Sequence, residues 1–152
     1  MHFYDIIKKL AEKKDVELYV DMDGVISSYD VGKPLDFKNK RPLMENIKKL
    51  EKVNEISNVE LHILSICKKD FQIGEKNQWL DKYAPFFKKE YRVIISKENL
   101  EGVSSEKAKS DYLKNLKTEK QKVCLDDDNS ILKYMMKNVN DVIVFQDSEL
   151  ID

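Results

Sequence analysis

No stretch of this chain stays apolar for the ~20 residues that a membrane-spanning helix needs. The opening segment, MHFYDIIKKLAEKK, is broken by charge throughout and has no small-residue cleavage site, so no secretory signal is expected. Cysteine is scarce. The two that occur, Cys67 and Cys124, lie in or just after apolar runs and lack the paired spacing of a zinc site. They are expected to be reduced, buried thiols in a cytoplasmic protein. Neither sign of charge prevails: 27 basic residues face 28 acidic ones, for a formal net charge of -1. That balance excludes any general attraction to nucleic acid or an anionic membrane, so a preference for an anionic ligand must be local. Internal repeats, low-complexity tracts and linkers are missing too, and one domain over residues 1–152 is expected.

What is present is a hydrophobic fraction of 41% beside a charged fraction of 36%, enough to bury one core under a heavily charged surface. Ile6, Ile7 and Leu10 predict a short opening helix. Strand-like runs follow at VELYV, VELHIL (ending at Ser65), YRVIIS, KVCL and DVIVF. Between them, LMENIKKLEKVNEI, residues 70–89 (with a break at Pro85), SSEKAKSDYLKNL and SILKYMMKNV have helical spacing, with Ser104 or Ser105 as an N-cap. Alternating strands and helices predict an α/β, Rossmann-like domain with a mostly parallel five-stranded sheet and helices on both faces. Residues 26–42 read as an irregular flap broken by Gly32, Pro34 and Pro42. They leave no room for a globular cap.

The polar residues at the strand ends carry the chemistry. Asp21 and Asp23 follow the first strand in VDMDGV, Ser65 ends the second, and Asp126, Asp127 and Asp128 follow the fourth. Lys107 and Lys109 open the helix before that fourth strand, and Lys97 directly follows the third. In a parallel sheet ligands bind outside the carboxyl ends of the strands. Clustered carboxylates repel one another, and a hard cation such as Mg²⁺ relieves that repulsion. A phosphate can then approach, held by a lysine and a hydroxyl. Asp128 has a simpler reading as an N-cap for the helix that follows, as has Asn129.

In chain order DMDGV, LHILS, KSDYL and VCLDDDN resemble the four motifs of the haloacid dehalogenase superfamily, over roughly Val16 to Phe145. The resemblance extends to small capless phosphatases of the deoxyribonucleotidase type. It implies a Mg²⁺-dependent phosphatase with Asp21 as nucleophile, forming an aspartyl-phosphate. Asp23 would be general acid and base, its carbonyl also on the metal. Gly24 would let the backbone approach the phosphate, while Ser65 and Lys109 would hold phosphate oxygens. Asp21, Asp23, Asp126 and Asp127 would bind Mg²⁺. Near the site, Lys33, Lys38, Lys40 and Arg41 of the flap would attract a phosphomonoester and Phe37 would stack a base; the other reading is a solvated loop whose lysines keep the protein soluble. The resemblance makes a nucleoside monophosphate the first substrate, with a macromolecular phosphate as another. An open site leaves a homodimer open as well. A non-catalytic Mg²⁺ and phosphate-binding or regulatory module is the alternative reading. A receiver domain fits poorly, because YRVIIS supplies no phospho-accepting Asp.

Overall fold

The computed structural model describes residues 2–29 and 37–151. Its five strands are β1 (Val16–Val20), β2 (Val59–Cys67), β3 (Arg92–Ser96), β4 (Gln121–Asp126) and β5 (Val142–Gln146). Five α-helices accompany them: α1 (Phe3–Lys13), α2 (Met44–Asn54), α3 (Phe71–Tyr83), α4 (Ser105–Asn115) and α5 (Asn129–Asn138). Every strand pairing is parallel, in the order β3-β2-β1-β4-β5.

That order follows from burial. The central strand β1 is buried along its whole length, as expected where helices cover both faces of a parallel sheet. Leu18 and Val20 point into a core shared with Ile7, Leu50 and Trp79 from α1, α2 and α3. Tyr19 points the opposite way, into a second core with Leu113 of α4 and Met135 of α5. Glu17 is buried as well, but its carboxylate accepts hydrogen bonds from the Tyr19 hydroxyl (2.5 Å) and the Thr118 hydroxyl (2.7 Å). Its polar atoms are therefore compensated.

From β1 the chain steps outward through β2 and β3. It then returns across the sheet, by way of α4, to β4 on the other side of β1. The direction of winding thus reverses between β1 and β4, which is where such a sheet opens a crevice at its carboxyl edge. The register sharpens this. Val20 pairs with Leu125, and the Asp21 amide donates to the Leu125 carbonyl at 3.0 Å. The next residues on the two strands, Asp21 and Asp126, therefore stand side by side about one strand spacing (~4.8 Å) apart.

Two expectations are corrected here. β2 does not end at Ser65 but continues through Ile66 to Cys67, because residues 65–67 keep pairing with Ile94–Ser96 of β3. The third helix stops at Tyr83, at the break expected from Pro85, since a residue before proline is pushed out of the helical region. Phe37 is not a free flap aromatic. It is 1% exposed and packs edge-on against Trp79, with ring centroids 5.8 Å apart. Gly32, Lys33 and Pro34 lie outside the described residues.

Candidate active site

The crevice between β1 and β4 is a cavity of about 460 Å³ whose walls include Asp21, Asp126, Asp127 and Lys109. Oxygens of Asp21, Asp126 and Asp127 all come within 4.8 Å of one another. Two come from the register of β1 and β4, and the third from the next step of the chain. Lys109, buried near the start of α4, reaches between the strand ends. Its Nζ donates to Asp21 Oδ1 at 3.0 Å and to Asp126 Oδ2 at 2.7 Å. The start of α4 is fixed by Ser104, whose side chain accepts from the Lys107 amide.

Of the three candidate lysines, only Lys109 enters this cluster. Lys107 is exposed and paired with Asp111 one helical turn on, at 2.6 Å. Lys97 lines a neighbouring cavity. Asp128 caps α5 by accepting from the Ser130 amide at 2.9 Å and the Ile131 amide at 3.4 Å.

Gly24 has a structural duty besides the one expected. Its φ is +83°, and a Cβ there would lie 2.0 Å from Asp127 Oδ2. The space beside this glycine holds the Asp127 carboxylate rather than open cavity. Asp23 keeps its carboxylate apart from the three-acid group. Its Oδ1 accepts from Lys40 at 2.7 Å and from the Ser27 hydroxyl at 3.3 Å. Its Oδ2 lies 3.5 Å from Lys76.

Lys76 was not anticipated. It is 1% exposed, and its Nζ donates to Ser65 Oγ at 2.7 Å and to the Ile66 carbonyl at 2.9 Å. Gln72, Lys76, Trp79 and Leu80 are the buried residues of α3, so this lysine sits on the apolar stripe of its helix at i, i+3, i+4 spacing. Ser65 is fully buried beneath Lys76 and lies on neither cavity wall. The expected hydroxyl contact to a phosphate is therefore not placed by this geometry, because β2 runs on past residue 65. Lys40 is likewise buried, its backbone carbonyl accepting from the Trp79 indole at 2.9 Å.

The electrostatics follow from burial of like charges. Burial is the largest influence on Asp21 and lifts its carboxyl well above the usual carboxylate range. Lys109 opposes this, and Asp126 and Asp127 reinforce it. Burial and then Asp126 push Asp127 up to about 6. Lys109 is held above its ordinary value because Asp21 and Asp126 together outweigh its burial. Lys76 is lowered by burial, against the pull of Asp23 and Asp21. Three acids thus stand together with one ammonium, which contacts two of them. An all-oxygen set short of positive charge suits a hard divalent cation, so these residues fit Mg²⁺.

No family model matches the chain, and no curated protein matches it. Solved structures do. One, described as the structure of the Pnkp1/Rnl/Hen1 complex, aligns with a TM-score of 0.67 at 15% identity, over 88% of this chain and 46% of that one. Another, of the Pnkp1/Rnl/Hen1 RNA repair complex, aligns with a TM-score of 0.67 at 14% identity, over 88% and 42%. The chain spans less than half the length of these neighbours, and identities this low speak for the fold alone. They overturn the family reading of the sequence. The matched chains belong to Pnkp1/Rnl/Hen1 complexes, one of them described as an RNA repair complex, and no family model supports the haloacid dehalogenase or deoxyribonucleotidase resemblance.

Proposed function

We propose that this chain is a Mg²⁺-dependent phosphomonoester hydrolase that works through a phosphorylated Asp21. One observation carries the reading. Asp21, Asp126 and Asp127 converge at the switch point of the sheet with one buried ammonium, Lys109, between two of them. Asp21, Asp126 and Asp127 would hold Mg²⁺, which when bound would offset their charge and polarise the phosphate oxygens.

The chain's own residues then divide the work. Asp21 Oδ attacks phosphorus in line with the leaving alcohol; a P–O bond to Asp21 forms as the P–O bond to the alcohol breaks. Asp23, on the same turn beyond β1, gives the alcohol oxygen its proton. In the second step it takes a proton from water, which attacks phosphorus and releases inorganic phosphate and the Asp21 carboxylate. Lys109 keeps positive charge beside Asp21 throughout, where negative charge develops on the transferring group.

Phosphate release from p-nitrophenyl phosphate tests this, with Mg²⁺ or EDTA and with wild type or Asp21→Asn. The reading expects activity that needs both Mg²⁺ and Asp21. Nucleoside monophosphates belong in the same panel. So do short RNAs with a phosphorylated end, given the RNA repair assemblies among the fold's neighbours and a flap that is only turns, bridges and a 3-10 segment among the described residues. Two free, buried cysteines suit a reducing, cytoplasmic setting.

A second reading is a non-catalytic Mg²⁺ and phosphate-binding module that uses the same three acids and Lys109. Mg²⁺-dependent binding of phosphate without turnover of any member of the panel would favour it.

A further inference from the structure

A second cavity, of about 300 Å³, adjoins the acidic one. The two share Asp23, Tyr29, Ile66 and Ser105 as common wall. Their charges are opposite in sign. The first presents five aspartates and one lysine, the second four lysines (Lys40, Lys68, Lys76 and Lys97) and one aspartate.

Asp23 accounts for two of these lysines, its oxygens facing Lys40 and Lys76. Lys68 and Lys97 have no carboxylate partner among the described residues. Glu98, next along the chain, faces Lys69 at 3.8 Å and accepts from the Asp70 amide. Two uncompensated ammonium groups on the wall of a cavity attract an anion. Tyr29 stands where the two cavities meet, 67% exposed, and offers the flat ring that buried Phe37 does not.

We propose that this cavity receives a second phosphate of the substrate. The molecule hydrolysed is then a nucleoside bisphosphate unit, free or at the end of a strand. Its scissile phosphate lies at Asp21, its other phosphate between Lys68 and Lys97, and its base against Tyr29. This deepens the phosphohydrolase reading and rests on it. The geometric basis is the order of the walls: acids and Lys109, then Asp23, then the free lysines. A leaving group that departs past Asp23, the proton donor, enters the lysine-lined space.

The test compares kcat/KM for p-nitrophenyl phosphate, adenosine 3′-monophosphate, adenosine 5′-monophosphate, adenosine 3′,5′-bisphosphate and a trinucleotide ending in a 3′-phosphate. Wild type is set against Lys97→Gln and the double variant Lys68→Gln/Lys97→Gln. The bisphosphate should exceed the better monophosphate by about tenfold or more, as a charge-assisted contact implies, and the double variant should bring that ratio close to one, chiefly through KM. Hydrolysis of p-nitrophenyl phosphate without a bisphosphate preference overturns the proposal and leaves the phosphohydrolase intact. So does a preference that the double variant keeps.

Binding covers the case of no turnover. Wild type in Mg²⁺ is titrated with adenosine 3′,5′-bisphosphate and with each monophosphate. Tighter binding of the bisphosphate, abolished by the two lysine substitutions, supports the subsite even if the reaction differs. Equal binding refutes it. The trinucleotide separates the two sources: a kcat/KM matching or exceeding the free bisphosphate identifies a strand end, and a much lower one a free bisphosphate.

Discussion

The carboxylate of Asp127 occupies the space that any side chain at Gly24 would need, with Oδ2 2.0 Å from where a Cβ would stand. A turn residue after β1 and an acid after β4 therefore depend on each other. Gly24→Ala should displace Asp127 and also strain a backbone held at φ +83°, costing about 1–3 kcal/mol. Urea denaturation of Gly24→Ala, Asp127→Ala and the double variant measures the coupling. The double variant should be more stable than the sum of the single effects predicts, because Asp127→Ala removes the clash. Strict additivity would show that the two residues do not meet.

The three-acid group makes metal-free stability depend on pH with a definite sign. Asp127 titrates near 6 in the folded chain, against about 3.9 for an unfolded aspartate, and Asp21 is displaced the same way. Between these values the folded state holds protons that the unfolded state has released. Stability is then fully present below pH ~4 and declines as pH rises through about 6 and beyond. Thermal melts in EDTA should show the midpoint falling from pH 5 to pH 7.5 on account of this cluster. Mg²⁺ competes with those protons and should raise the midpoint more at pH 7.5 than at pH 5. Asp21→Asn should weaken both effects. A Mg²⁺ shift equal at both pH values would contradict a carboxylate site.

Two lysines that are neighbours in sequence should behave differently. Lys109→Met removes the ammonium shared by Asp21 and Asp126 and should lower kcat by at least about 10²-fold, in line with loss of one preorganised electrostatic contact. Lys107→Met, which breaks only an exposed pair with Asp111, should leave kcat and KM as they are. Steady-state kinetics on p-nitrophenyl phosphate decides. Similar losses in both variants would argue that α4 matters for stability alone.

Much of the fold was legible because a sheet buried on both faces demands apolar runs, and VELYV, VELHIL and DVIVF supply them. Asp21, Asp126 and Asp127 were legible for a related reason: each follows such a run, and parallel register aligns strand ends. Ser65 was misplaced because Ile66 and Cys67 continue the same strand chemistry, so the sequence marks no stop there. Phe37 and Lys40 were read as flap residues, since nothing local shows that the Trp79 ring and indole hold them down. Lys76 sits on an apolar stripe, which becomes a signal only once the helix is known to cover the sheet. The family resemblance failed for a general reason. Short acidic and polar motifs at successive strand ends are what any parallel sheet with a crevice at its carboxyl edge can display.

The most direct test of the central claim is the covalent state of Asp21. The protein is mixed with ³²P-labelled p-nitrophenyl phosphate and Mg²⁺, quenched in acid within the first turnover, and digested for mapping of the label. The account predicts acid-stable label on the peptide containing Asp21, absent in Asp21→Asn and absent in EDTA. Turnover with no labelled protein at any time, or label on another residue, would contradict it.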